Sequence, residues 1–285
     1  MATDARLRLR RRVILYTLLI AGAVFAVMPF LYMISNALKS YGETVTRVAP
    51  TPFHPRFWPS RLRFENFVIA WRDGDGLARY FINSVVIAGI TLTGLYATTI
   101  LSAYAFSKLR FPGRDLVFSV LIATLIIPET VLTIPNFLTV SRLGWLDRLP
   151  ALTVPFMGSA FFIFLLRQFF NQIPDTLLEA ATIDGSGHFG QLLRIVIPLS
   201  RAPLFTIGFL AFTGSWNSLQ WPLVVTQSAR WRPISVGLLR FISEAGPETQ
   251  LRMAGALIAL LPIILVYLLA QRQITAAISR TGITG

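Results

Sequence analysis

Val13 to Ile34 is a run of 22 residues without a charged side chain, and it follows directly on Arg6, Arg8, Arg10, Arg11 and Arg12. About 20 apolar residues in an α-helix span a hydrocarbon core about 30 Å thick, so this run has the length of a membrane crossing. A secretory signal peptide shares the basic start and the small residues near Ala21 to Ala23. Its apolar core runs only about 7–15 residues, however, and the greater length here predicts a retained anchor.

Five more long apolar segments follow, at about 80–106, 116–140, 151–170, 203–225 and 252–270. The composition agrees. Of 285 residues 54% are hydrophobic and 14% charged, with mean hydropathy +0.62, against about 45–50% apolar and about 25% charged in a soluble domain. So little charge cannot cover a water-facing surface, which excludes a soluble single-domain enzyme. The sequence predicts an all-α membrane protein of six transmembrane helices: a basic segment at 1–12, then one membrane domain at 13–285. Pro128 and Pro135 in the third segment, Pro155 in the fourth, Pro222 in the fifth and Pro262 in the sixth predict bent or broken helices. Ala88, Gly89 and Gly94, and Ala254 to Ala256, are suited to close helix packing.

There is no cysteine, which removes disulfides, thiolate nucleophiles and Cys-ligated zinc. The formal net charge is +13, carried by arginine except at Lys39 and Lys108. In a membrane chain such an excess meets lipid headgroups and sets orientation; it does not call for nucleic acid. With the N-terminus inside, the Lys and Arg residues divide 13 to 13 between the two sides. Short loops decide orientation, and the N-terminal cluster with Lys108, Arg110 and Arg114 favours both termini in the cytoplasm.

The loop at 35–79 places Phe53, Phe57, Trp58, Phe64 and Phe67 among Pro50, Pro52, Pro55 and Pro59, too aromatic for a disordered linker. It predicts an external loop folded on the helices, with Trp58 and Trp71 at headgroup level. Asp73-Gly74-Asp75-Gly76 begins like a calcium loop, but Ser84 stands where the terminal Glu is needed, so it reads as a turn. A second external loop, 226–250, offers a surface for an outside partner.

The longest cytoplasmic stretch carries the one dense motif, at about 174–198. Pro174, with Thr176 and Glu179 at capping-box spacing, opens a short helix that Gly185 and Gly187 end; a second helix runs from His188 and stops at Pro198. A rigid knob on the membrane surface is the expected shape. Gly185-Ser186-Gly187-His188-Phe189-Gly190 matches G-x-G-x-x-G, yet a helix precedes it and no acidic residue lies between Asp184 and Glu244. A dinucleotide site is therefore excluded.

At this motif the sequence resembles the permease subunits of ATP-binding-cassette importers. Their cytoplasmic signature stands here as Glu179-Ala180-Ala181, Gly185 and Ile195-Val196-Ile197-Pro198, with Ile197 in place of the usual Leu. Asn83-Ser84, Ala103-Tyr104-Ala105-Phe106, Ile127-Pro128-Glu129, Ile134-Pro135, Phe164 to Phe170, Trp216-Asn217, Trp221-Pro222 and Gln271-Arg272 extend the likeness over about residues 10–285. They are similar to the carbohydrate-uptake class, in particular the second inner-membrane subunit of maltose-type transporters. Thr284 stands where such relatives often carry Lys, a departure in the C-terminal tail.

The resemblance implies a non-catalytic subunit without a cofactor, in the inner or cytoplasmic membrane. Its implied partners are a homologous second permease, in a heterodimer, two ATP-binding subunits inside, and a solute-binding protein outside. No G-x-x-x-x-G-K-[ST] occurs, so this chain does not cradle ATP phosphates by that route. Glu179, Ala180, Ala181, Asp184, Gly185, Ile195 and Pro198 are the residues implied to couple to the ATPases; a capping carboxylate is the plain reading of Glu179, compatible with that role. For the solute path, Glu129 stands in an apolar segment, where a charge belongs in a bundle interior or against water; a protonated carboxyl bonded to a carbonyl freed by proline, or a place near the outer end of the third helix, are the competing readings. Asn217 and Gln220 are suited to hydrogen-bond sugar hydroxyls, with Trp216 beside them as a stacking surface on the same path; bonds between helices are the competing reading. An ion-gradient transporter using Glu129 is the alternative function, and it leaves the 174–198 motif unexplained.

Overall fold

The computed structural model describes residues 2–45, 54–72, 76–243 and 246–281, and nearly all of them are helical. The Asp73 and Asp75 of the turn, the C-terminal Thr284 and the prolines at 50 and 52 lie outside the described residues. Among the described residues, three helices are long and apolar enough to cross a membrane without a break. Their crossing stretches are Arg10–Ala37, Gly76–Lys108 and Thr249–Gln271, matching the expected first, second and sixth segments. Two further candidates are bent pairs: Leu149–Phe156 with Ala160–Asn171, at 40°, and His188–Leu199 with Arg201–Asn217, at 81°.

The expected third segment is interrupted rather than continuous. Its helix Arg114–Ala123 tightens into a 3-10 turn, Thr124–Ile126, and helix resumes only at Thr133–Arg142. Pro128 is the cause. Ile127 before it is forced to an extended backbone (φ −78°, ψ 118°), and the missing N–H of Pro128 leaves only short turn bonds to carry the chain across. In the fourth segment Pro155 gives a 3-10 turn at Val154–Phe156. Ser159 then restarts the helix, its hydroxyl accepting from the Phe162 N–H at 3.4 Å.

The described residues fall into two compact units. The first joins the chain up to Leu77 with Leu238–Leu260. Here the residues after the first helix turn back and satisfy its open C-terminal carbonyls. Asn66 Nδ2 donates to Ala37 O and Lys39 O, both at 2.8 Å, and the Arg63 N–H donates to Leu38 O at 3.0 Å. Ser35 Oγ donates to the Phe57 carbonyl, and Phe57 is fully buried, while Trp58 is exposed beside it. The expectation of a folded loop thus holds for its described part. Gly255 lies so close to Leu238 and Leu77 that an added Cβ would sit about 3 Å from both side chains.

The second unit, Ala78–Gly237 with Leu261–Gly285, holds two apolar clusters strung on the helix Gly76–Lys108. One gathers Ile87, Val140, Ala151, Leu152 and Val225, with Trp221 donating from Nε1 to Ala151 O at 2.8 Å. The other gathers Ala103, Tyr104, Leu166, Phe170, Leu178, Leu192, Val196 and Ile207. Ile87 and Ala103 are separated by roughly 24 Å along the helix at 1.5 Å per residue.

Candidate functional site

The second cluster is the foundation of the surface motif. Asp175–Ile183 is a helix, and only Leu178 of it is buried, pointing into the cluster with Phe170 and Leu192. Glu179, Ala180, Asp184 and Ile183 face outward, and Ala181 is half-buried. Leu177 and Phe189 add exposed apolar surface to the same projection.

The end of this helix is fixed by backbone geometry. Gly185 has φ +80°, and Ser186 N donates to Ala181 O at 2.8 Å while Gly185 N donates to Thr182 O at 3.0 Å. That pair of bonds is a Schellman cap, with Gly185 at its left-handed position. A Cβ at Gly185 would meet nothing within 4 Å, so conformation and not crowding calls for glycine.

The start differs from expectation. The N-cap is Pro174, the helix begins at Asp175, and no side chain caps it, so the Thr176–Glu179 capping box does not form. Pro174 presets φ at −59°, which starts the helix two residues too early for Thr176 to serve as cap. Glu179 is thereby free of its plain structural reading. The second correction concerns Pro198. The chain does not stop there: the helix passes through a π-helical stretch, Leu192–Val196, continues as Ile197–Leu199 and turns only at Ser200. Pro198 sits in the first turn of the resumed helix, where a missing N–H is tolerated. Pro198 itself is half-buried, and Ile195 packs partly buried on the cluster, so Ile195 anchors the motif rather than facing outward.

Three polar ties that sequence reasoning missed hold the motif and the helices beneath it: two reach the motif itself, and the third, from Arg167, joins its supporting helices to one another. Lys108, its side chain 4% exposed, donates from Nζ to Ile173 O at 2.6 Å and to Asp175 Oδ1 at 2.7 Å. This bond and the ammonium charge hold the Asp175 carboxyl below its ordinary pKa. Arg167 donates from Nε to Phe106 O at 3.0 Å, lies 3.9 Å over the Phe118 ring and reaches Asp115 at 3.8 Å. Gln191, buried, joins the surface helix to Tyr104. One signal was available: Lys39 and Lys108 stand alone among arginines. Both ammoniums are buried and donate to main-chain carbonyls, Lys39 to Arg56 O at 2.9 Å.

The expected solute-path residues are dispersed over two helix breaks. Glu129 is exposed in the non-helical stretch that interrupts the third segment. Asn217 ends the helix Arg201–Asn217 and Gln220 opens Gln220–Val225, both exposed. Trp216 is buried, stacked on Phe212 and edge-on to Phe81, each at 5.4 Å.

Residues 91–280 match the family described as binding-protein-dependent transport system inner membrane component. The chain belongs to this family. Among curated relatives of the permease is the diacetylchitobiose uptake system permease protein NgcG of Streptomyces coelicolor, 29% identical over 93% of this chain and 86% of that protein. Another is the sn-glycerol-3-phosphate transport system permease protein UgpE of Yersinia enterocolitica, 34% identical over 90% and 92%. The permease shares its fold with a chain of a bacterial ABC transporter involved in import of the acidic polysaccharide alginate. The TM-score is 0.79 at 24% identity, covering 91% of this chain and 95% of that one. A second structure of a bacterial alginate transporter, in complex with an alginate pentasaccharide-bound periplasmic protein, gives a TM-score of 0.61 at 16% identity, covering 92% and 93%.

Proposed function

We propose that this permease is the transmembrane subunit of an ATP-driven importer that moves a sugar or related polar solute into the cytoplasm by alternating access. Six crossings put both termini in the cytoplasm, the interrupted stretches 114–142 and 201–225 each counting as one. The chain pairs with a homologous second permease, receives solute from an extracytoplasmic binding protein, and is driven by two ATP-hydrolysing subunits.

The observation that carries this reading is the surface helix: a projection rigid at both ends, exposing Glu179, Ala180 and Ile183, rooted in the core shared with Tyr104 and Phe170. Closure of the ATPases on ATP pushes this projection and thereby tilts the helices under it. Relatives named for diacetylchitobiose and glycerol 3-phosphate support a hydroxyl-rich solute. Non-helical backbone at membrane depth is tolerated only within protein or against water. Glu129, Asn217 and Gln220 therefore line the solute path, and Trp216, being buried, backs it without touching solute.

The test is a Glu179→Lys, Gly185→Asp double variant in the assembled transporter. Uptake and retention of the ATPase should fall while the permease stays in the membrane; wild-type uptake would refute coupling through this helix.

A further inference from the structure

Gln191 is 3% exposed and stands where four pieces of chain meet. Its Nε2 donates to Thr182 Oγ1 at 2.8 Å, Leu178 O at 3.1 Å and Ser186 O at 3.3 Å. Its Oε1 accepts from the Tyr104 hydroxyl at 3.2 Å. Thr182 spends its own proton on Leu178 O at 2.8 Å, so its oxygen is left to accept. The orientation of the Gln191 amide is thus dictated: turned over, its oxygen would face two carbonyls. One side chain therefore reads the surface helix, its glycine turn and the last turns of the helix Gly76–Lys108 together. Immediately after it the backbone leaves α-helical geometry for the π-helical stretch Leu192–Val196, and the chain then bends by 81° at Ser200. Covalent continuity toward Arg201–Asn217 thus runs through irregular backbone, whereas the route through Gln191 to Tyr104 runs between regular helices.

We propose that Gln191 is a positioning residue that makes the surface helix and the helix Gly76–Lys108 move as one body, so that force applied at Glu179 to Gly185 reaches the second span directly through Tyr104. This rests on the coupling reading above. Without Gln191 the surface helix keeps its own cap, its exposed face and the Lys108 tie at its first turn, but its C-terminal end loses its link to Tyr104, and displacement applied there is absorbed in the π-helical stretch and the bend that follow it.

The absence of cysteine permits paired nitroxide labels on introduced cysteines. Ile183→Cys sits on the exposed face of the surface helix and Leu101→Cys on the exposed face of Gly76–Lys108. The distance between them is measured in the permease assembled with its ATPases, with and without a non-hydrolysable ATP analogue. With Gln191 in place the distance distribution should be the same in both states. In Gln191→Leu, and in Tyr104→Phe, which removes one oxygen and keeps the ring, it should shift when the analogue is added. A nucleotide-dependent shift with Gln191 intact overturns the proposal. So does a distribution in the variants that is unchanged, or altered equally with and without nucleotide, as a merely structural loss would give. If Gln191→Leu fails to insert, Tyr104→Phe decides alone. Failure of the coupling reading itself is separate: it appears as retained ATPase and uptake in the Glu179→Lys, Gly185→Asp variant, whatever the distances are.

Discussion

Lys108 Nζ lies 2.7 Å from Asp175 Oδ1, binding the last turn of one membrane helix to the first turn of the surface helix. The two ends of the bond are unequal. The lysine side chain is nearly buried and also bonds Ile173 O, whereas Asp175 is 71% exposed. Asp175→Asn should therefore cost less than about 1 kcal/mol, the range of exposed ion pairs. Lys108→Met removes both bonds and should cost about 1.5–3 kcal/mol, as for hydrogen bonds to a charged group. Thermal unfolding of the two purified variants gives the order. The Asp175 pKa is lowered in the folded chain, so its contribution is complete above the ordinary carboxylate range and is lost as pH falls through the lowered value.

Gly185 has no neighbour that a methyl group would strike, so its substitution series should follow backbone preference alone. Gly185→Ala should cost about 1–2 kcal/mol at φ +80°, and Gly185→Asn less, since asparagine tolerates the left-handed region. Melting temperatures of the three proteins should rank Gly, Asn, Ala; an alanine variant as stable as the parent would show that the cap relaxes.

The sequence made the three unbroken helices legible because a long apolar run admits few alternatives in a membrane chain. It also located the surface motif, since Pro174 and Gly185 act through local backbone geometry that a sequence displays. It misplaced the cap at Thr176 because the spacing fitted two starts and Pro174 took the earlier one. The run past Pro198 was missed because a proline looks the same whether it ends a helix or opens its first turn. The ties of Lys108, Arg167 and Gln191 were invisible for a different reason: each joins residues far apart in sequence, and only the packing of the cluster around Phe170 brings them together.

Tyr96 reaches from Gly76–Lys108 to Arg201–Asn217, its hydroxyl donating to Leu204 O at 2.7 Å and passing directly over Gly208. A Cβ at Gly208 would land on that hydroxyl. Gly208→Ala should therefore destabilise by about 1–3 kcal/mol, the range for an overpacked site. Adding Tyr96→Phe removes the clashing oxygen and should return part of the loss, although the ring edge stays close. The double variant melting below Gly208→Ala would contradict this contact.

In the first unit the Glu43 carboxylate accepts from Ser40 N, Ser40 Oγ and Ser60 N, each at 2.9 Å. Burial would raise its pKa, but the bonds from Ser40 and Ser60 outweigh it and lower it from 4.5 to about 2. A lowered carboxyl stabilises the fold fully above its unfolded pKa and ceases to do so as pH falls through the folded one. Glu43→Gln should speed amide exchange in residues 54–72 at neutral pH, and its difference from the parent should shrink below about pH 4.5 and vanish near 2. A difference that persisted unchanged at pH 2 would exclude this carboxylate as the tie.

Asn83 Nδ2 donates to both Arg230 O and Arg232 O at 3.0 Å, and Ser84 Oγ beside it accepts from the Ile234 N–H at 2.7 Å. Asp147 holds the other side of the same loop, accepting from Gln227 N, Ser228 N and Ser228 Oγ, with its pKa lowered chiefly by the Ser228 hydroxyl. The two anchors differ in sign: Asn83 gives protons to carbonyls, Asp147 takes them from N–H and O–H groups. Asn83→Asp should therefore be worse than Asn83→Ala, because it sets a carboxylate against two carbonyl oxygens in a buried place. Asp147→Asn, keeping one acceptor oxygen in a half-buried place, should be the mildest. Limited proteolysis within 226–237 should follow that order, and equal cleavage in the two Asn83 variants would mean that its donor is not what holds the loop.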